Sequence, residues 1–367
     1  MTKLWRSRWI FCLSLLLFFS GRGFAEERPM RSLFVSVIQD PPVLSSRQAI
    51  DNLILFSKKA QVRELFVQVY RENKAWFPSS VGDSAPYEAC LKSVGEDPLA
   101  LLIRKAHAEG IEVHAWVNLM SLGSNQSAPL LKKYGATILT RNLEPKKSLK
   151  DYKIDNQFFL DPGDPRVRKE IVKMIGEIVS TYHELDGIQL DYIRYPDWKP
   201  AYGYNAKNVE RYKAMFNTQK INPKSQQWQQ WKRDQVTTLV REIAARARKL
   251  HPGIRVSTTG LVSYTRANWE AYQDWRHWVR EGLIDFVTLM CYAHEDTPRY
   301  QRYIQDAQRQ LGDLTKANIA VGSYRLLDQP QVFDDQWDIC EETAVRSCAV
   351  FHYGDLLQNP VLARSLK

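Results

Sequence analysis

The chain has 367 residues, 44% of them hydrophobic and 25% charged, with a formal net charge of +10. That apolar share belongs to a folded protein and excludes a disordered one. The basic excess is scattered, without a basic cluster or nucleic-acid motif, so no nucleic-acid partner is expected.

The first 25 residues read as an export signal. Lys3, Arg6 and Arg8 precede an apolar run over 10–19, and Gly23-Phe24-Ala25 gives a small-x-small cleavage pattern, so the mature chain is expected to begin near Glu26. The run is shorter than the about 20 residues of a comfortable span. Cys12 lies inside it, not behind it, so no stable membrane or lipid anchor is expected. The signal holds Lys3, Arg6, Arg8 and Arg22 and no acid, so +10 less four leaves +6 on the mature chain. Location in the periplasm or outside the cell follows. Which of these, and the oligomeric state, stay open.

Residues 26–367 then alternate strand-like and helix-like stretches, the pattern of a parallel α/β fold. Eight apolar runs fall at 33–38, 64–70, 112–118, 187–193, 254–260, 285–292, 318–324 and 349–353. Amphipathic segments fill the gaps, with stop and start signals at their ends. Examples are Ser45-Ser46 before 47–60, Asp97-Pro98 and Gly110 around 97–109, and Asp164 before 165–182. Eight strands without a glycine-rich phosphate turn favour a single (β/α)8 TIM barrel over a doubly wound sheet. Long polar loops follow strand three (121–159) and strand four (197–227), the second holding Trp198, Tyr202, Tyr204 and Tyr212. Both leave the strand ends where barrels build active sites, so their aromatics are expected to wall a substrate.

Four cysteines lie beyond the signal, at 90, 291, 340 and 348, and none forms a Cys-x-x-Cys pair, so neither a metal nor another cofactor is expected. Cys340 and Cys348 are close enough in sequence for a disulfide, with free thiols equally compatible.

The fourth strand carries the chemistry: Asp186-Gly187-Ile188-Gln189-Leu190-Asp191-Tyr192-Ile193-Arg194-Tyr195-Pro196. Alternation turns Ile188, Leu190 and Tyr192 to the helices and Gln189 and Asp191 to the interior. A carboxylate there is either paired with an arginine or catalytic, and its place at a strand's C-terminal end favours catalysis. Other strand ends bring Asp40, Gln68, Arg71, Glu72, His114, Trp116, Asn118, Tyr292, His294, Glu295, His352, Tyr353 and Asp355 to the same rim. Cleaving a glycosidic bond commonly takes two carboxyl groups, and aromatic rings such as Trp76, Trp116, Trp198, Tyr195 and Tyr292 suit the apolar face of a sugar. Trp231, Trp275 and Trp278, on helical stretches, are expected to pack. Gly-x-Ser-x-Gly, phosphate-loop and His-Glu-x-x-His signatures are absent.

Phe159-Leu160-Asp161-Pro162-Gly163-Asp164-Pro165-Arg166-Val167-Arg168 followed, one helix later, by Asp186 to Pro196 resembles the bacterial glycosyl hydrolase-like family 10. Looser matches lie at Val67-Gln68-Val69-Tyr70-Arg71, Ala75-Trp76-Phe77-Pro78-Ser79, Val113 to Asn118, Met290-Cys291-Tyr292 and Phe351-His352-Tyr353. The family includes a divisome-localised hydrolase of peptide-free peptidoglycan glycans. The resemblance implies a barrel, export and hydrolysis of a polysaccharide, with Asp191 as catalytic acid or essential carboxylate. It also implies pocket roles for Arg71, His114, Asn118 and Tyr292. Asp161 matches too, in a setting that suits loop capping. Strand five departs from the family, and no second carboxylate is fixed: Glu295 is the first choice, Asp355 and Glu72 the next. The expected site is therefore Asp191 and Glu295 as catalysts, with Arg71, Trp76, His114, Trp116, Asn118, Gln189, Arg194, Tyr195, Tyr292, Tyr353 and Asp355 binding substrate. A glycan-binding barrel without turnover is the alternative, and a metal-dependent polysaccharide deacetylase a third reading.

Overall fold

The computed structural model describes residues 28–294 and 296–366. The expected signal peptide and Glu295 lie outside them. Eight parallel strands follow one another around the sheet: β1 (Met30–Val35), β2 (Val62–Arg71), β3 (Glu112–Asn118), β4 (Gly187–Asp191), β5 (Arg255–Gly260), β6 (Phe286–Met290), β7 (Leu314–Gly322) and β8 (Val345–Phe351). β8 pairs back onto β1, which closes the barrel. No helix of the described residues is long and apolar enough to cross a membrane.

The period-two alternation of the strands separates two cores. Outward residues such as Leu65, Val67, Ile188 and Leu190 join the shell between strands and helices. Helix Pro165–Thr181 shows how that shell forms: Asp164 caps it through the Arg166 N–H, and Val167, Ile171, Met174, Ile178 and Val179 recur at helical spacing on its buried face. Inside the barrel, Phe34, Phe66, Trp116, Phe286, Ala320 and Ala349 make a second, mainly aromatic core. Each large ring there stabilises the fold by about 1.5–3 kcal/mol relative to exposure.

Below this aromatic layer sits a buried carboxylate, Glu64. Two bonds from Arg346 (2.7 and 3.1 Å), one from Ser32 Oγ (2.6 Å) and one from Asn318 (3.3 Å) satisfy it. Burial pushes its pKa up, but His114, Arg346 and Ser32 outweigh that and hold it below the usual carboxylate range. Glu64, Glu112 and His114 come within 4.8 Å of one another, as cation ligands would. Arg346 and Arg255 already supply the positive charge there, Arg255 through a 2.5 Å contact to Glu112.

Strand ends differ from the sequence expectation in three telling places. β4 stops at Asp191 because Tyr192 turns into a left-handed conformation, φ +50°. β1 stops at Val35, and Ser36 and Val37 bind the Gln68 side chain. β8 runs earlier, and Tyr353 opens a helix (Tyr353–Gln358) capped reciprocally by His352 and Asp355. Cys340 and Cys348 form a disulfide that ties helix Pro330–Glu341 to β8, while Cys90 and Cys291 are buried thiols.

The aromatics of the loop after β4 divide. Tyr204 and Tyr212 are buried with Trp228 and Trp231 in a satellite core, so they build the loop and do not wall a substrate. Trp198 is exposed. Trp275 and Trp278 pack fully, as expected from their helical setting.

Candidate active site

The C-terminal ends of β1 to β5 carry one hydrogen-bonded string of polar side chains. Its direction is fixed at one end by a backbone group that can only donate, the Val37 N–H. That N–H and Ser36 Oγ donate to Gln68 Oε1 (3.2 and 3.1 Å). Gln68 must then turn its amide nitrogen to Asn118 Oδ1, at 2.8 Å. Asn118 in turn points its own nitrogen at Asp191 Oδ2, at 3.3 Å. Trp116 Nε1 donates to the same oxygen (3.1 Å), while Oδ1 accepts from Thr259 Oγ1 (2.6 Å) and the Tyr192 N–H (2.7 Å). The Arg194 guanidinium stands 3.6 Å from Oδ1.

Among the described residues every hydrogen bond to this carboxylate runs towards it, so Asp191 sits as an acceptor on both oxygens. A group so placed is suited to facing a developing positive charge or attacking it. It is less well arranged to pass on a proton, which favours the second of the two roles expected of it, essential carboxylate over catalytic acid. Asp191 is 5% exposed, and its one arginine is its own neighbour three residues on, not a partner from another strand.

Above the string opens a polar cleft of about 360 Å³, lined by Arg71, Glu72, Asn118, Ser121, Gly123, Ser124, Asp155, Asn156, Gln157 and Tyr192. Among the described residues two carboxylates reach it. Glu72 pairs with Arg71 at 3.2 Å, and Asp155 with Lys199 at 3.1 Å. Glu72 is packed on Gly123, where a Cβ would meet its carboxyl carbon. A larger cavity lined by Arg28, Arg31, Arg63 and Arg346 lies at the other end of the strands, away from this string.

The expected site residues separate accordingly. Arg71 and Asn118 line the cleft, and Trp116, Asn118 and Arg194 hold Asp191. Tyr292, half-buried at the mouth, packs against Phe351 and Tyr324. Burial, then the charge of Asp191, raises its phenol well above the usual range. Gln189 is inward but fully buried one layer down, accepting from Ser257 Oγ, and does not reach the cleft.

The remaining residues lie elsewhere. His114 is fully buried beside Glu64 in the lower layer, two strand steps beneath Asn118. Burial, with help from Arg255 and Arg346, pushes its pKa down to about 4. Tyr195 is fully buried and donates to Asp161 (3.2 Å), because the left-handed turn at Tyr192 sends it into the shell. Trp76 packs on the outer side of β2. Tyr353 faces Phe56, and Asp355 is used up in its helix cap, accepting from the His352 N–H (3.0 Å) and Ser323 Oγ (2.7 Å). Thr259 was missed as a direct partner of Asp191, and Gln68, expected on this rim, was missed as the residue that orients Asn118. The signal existed in the inward alternation of β5 and β2, but a threonine and a glutamine carry no chemistry by themselves.

The family model described as Glycosyl hydrolase-like 10 matches residues 29–339. The chain belongs to that family. Among curated relatives it is 25% identical over 301 residues to Glycosyl hydrolase DigH of Escherichia coli K12, covering 72% of this chain and 66% of that protein. It is 28% identical over 269 residues to Glycosyl hydrolase YngK of Bacillus subtilis 168, covering 68% of this chain and 50% of the relative. The chain thus spans between half and two thirds of the length of these relatives. Among solved structures, the catalytic domain of β-amylase from Paenibacillus polymyxa superposes with a TM-score of 0.56 at 12% identity, covering 90% of this chain and 94% of that one. A chitobiase from Flavobacterium johnsoniae gives 0.52 at 11% identity, covering 93% and 48%. At such identities these two likenesses establish the barrel fold alone.

Proposed function

We propose that the protein is an exported glycoside hydrolase acting on an amino-sugar polysaccharide of the cell envelope, such as peptide-free peptidoglycan. The observation that carries this reading is Asp191, held by four donors at the end of β4, two of which belong to Asn118 and Tyr192 in the wall of a polar cleft. In the reaction Asp191 faces the sugar carbon as it becomes cationic, as nucleophile or as stabilising charge, and a second carboxyl group protonates the departing oxygen. Among the described residues Glu72 is the best placed for that second role. It lines the cleft, is half-buried, and is steadied by Arg71 on one side and Gly123 on the other.

The test is incubation of the purified mature protein, Asp191→Asn and Glu72→Gln with peptide-free peptidoglycan strands, with mass spectrometry of released oligosaccharides. Products from the parent, none from Asp191→Asn and a strong reduction for Glu72→Gln are expected. A glycan-binding barrel without turnover is the second reading, favoured by one observation: the two cleft carboxylates among the described residues, Glu72 and Asp155, are already ion-paired. Strand binding by the parent without products would establish it.

A further inference from the structure

Three aromatic side chains, one in the cleft wall and two beyond it, share one arrangement. Tyr192 lines the cleft with the Arg194 guanidinium over its ring at 4.4 Å. Trp198 is 61% exposed, with Arg266 over its ring at 4.4 Å. Trp269 is 52% exposed, with Arg233 over its ring at 4.9 Å. A guanidinium on one face holds each ring in place and leaves the opposite face unclaimed by that contact. Tyr192 and Trp198 also adopt left-handed backbone, φ +50° and +58°, which is rare for bulky residues and more often kept where function needs it.

The three are joined along the surface. Lys199, next to Trp198, pairs with the cleft residue Asp155 at 3.1 Å. Asp197, on the other side of Trp198, pairs with Arg266. Arg266 and Trp269 are three residues apart on helix Tyr264–Trp269, so they are neighbours on its surface. The line therefore runs from the cleft outwards over the loop after β4 to the loop after β5.

We infer that Tyr192, Trp198 and Trp269 form a binding track for an extended glycan leaving the cleft. The substrate class rests on the proposed function; the track itself rests on the rings. The exposed rings of Trp198 and Trp269 match the C–H face of a pyranose, Tyr192 begins the line at the cleft wall, and rings held in advance lose little freedom on binding. The track then favours long strands over short ones without touching the bond that is cut.

The test uses full-length Asp191→Asn protein, which holds strands without cutting them, and peptide-free peptidoglycan strands sorted by length, with affinity read by calorimetry. Long strands are expected to bind more tightly than tetrasaccharides. Trp198→Ala and Trp269→Ala should each weaken long-strand binding about tenfold, as loss of one aromatic contact would, and leave tetrasaccharide binding unchanged. Trp198→Phe, which keeps a ring, should retain most of the gain. A length preference that survives both alanine substitutions overturns the track while leaving the hydrolase reading intact. Failure of the protein to bind any strand overturns both. Both tryptophans are exposed, so the variants should fold, which circular dichroism checks.

Discussion

The direction of the hydrogen-bond string makes a sharp prediction at Gln68, a residue that does not touch Asp191. Gln68→Glu keeps size and shape and still accepts from Ser36 and Val37. The oxygen that replaces its amide nitrogen, however, now meets Asn118 Oδ1 at about the present 2.8 Å. Two acceptors cannot share that contact, so Asn118 turns over and brings its oxygen to Asp191, or moves away. Asp191 loses a donor, which for a charged acceptor is a net loss of about 1.5–3 kcal/mol. The new carboxylate also stands roughly 7 Å from Asp191, a repulsion of about 2 kcal/mol at an effective dielectric of 20. If half of the combined effect, about 2 kcal/mol, reaches the transition state, hydrolysis at pH 7 falls roughly thirtyfold. The pH dependence distinguishes this from simple damage. A buried carboxyl beside Asp191 has its pKa raised, and its protonated form can donate to Asn118 as the amide did. Activity relative to wild type should therefore recover as pH falls through that raised value. The assay is a pH–rate profile of both proteins on the same glycan, with thermal unfolding as a control. A Gln68→Glu enzyme of wild-type rate at pH 7, or a stable one whose relative rate does not rise on acidification, would refute the directed string.

Three further outcomes follow from the same geometry. Gly123→Ala places a methyl on the Glu72 carboxyl at a residue of φ +54°, so hydrolysis should drop at least tenfold while strand affinity changes little, read as kcat against KM. Removing the Cys340–Cys348 disulfide, which spans eight positions of sequence, should lower unfolding free energy by about 2.5 kcal/mol in urea. The third concerns acid. Burial raises Asp161 from an ordinary 3.8 to about 6, so its contribution to stability is present below about 3.8 and lost as pH rises through 6. His114 has the opposite sign: burial lowers it from 6.5 to about 4, so its contribution is present above 6.5 and lost as pH falls towards 4. Each carries a slope of about 1.4 kcal/mol per pH unit, and the two offset each other between about pH 6 and 4. Asp161→Asn should remove the offset and make unfolding free energy fall more steeply with acid than in the wild type. Parallel curves for the two proteins, measured in urea from pH 7 to pH 4, would contradict this pair of assignments.

What was legible in the sequence follows a physical divide. Barrel strands bury one face in the shell and the other in the interior, so runs such as 187–193 and 112–118 announce themselves by composition alone. The inward position of Asp191 at the end of β4 was legible because strand alternation fixes the face of each side chain. His114 was misplaced because alternation gives a side chain's face but not its depth: His114, Trp116 and Asn118 point the same way, yet the first meets Glu64 in the lower layer and the last lines the cleft. Tyr192 and Tyr195 exchanged expected roles through a single backbone angle. With Tyr192 at φ +50° the strand ends, Tyr192 swings to the cleft and Tyr195 goes inside to Asp161. Nothing in a tyrosine signals that turn, because the left-handed conformation is disfavoured for it and must be imposed by its surroundings.

The imposition has an identifiable source. The Tyr192 N–H donates to Asp191 Oδ1, and its carbonyl accepts from the Met120 N–H, so both backbone groups on either side of the turn are taken by the site itself. The Asp191 carbonyl likewise accepts from the Leu119 N–H. The loop after β3 thus clamps the end of β4 with two backbone bonds, and the unfavourable angle is the geometry that lets Asp191 be capped by its own successor. The same turn that holds the carboxylate also delivers Tyr192 to the cleft wall and starts the outward run to Trp198. On the proposed reading, catalytic positioning and glycan binding are therefore coupled through one residue's backbone. A substitution that relaxes it, Tyr192→Gly, should keep the barrel folded but loosen Asp191 and the cleft wall together. It should then lower kcat and raise KM in the same variant, whereas Tyr192→Phe, which keeps ring and backbone constraint, should change neither greatly.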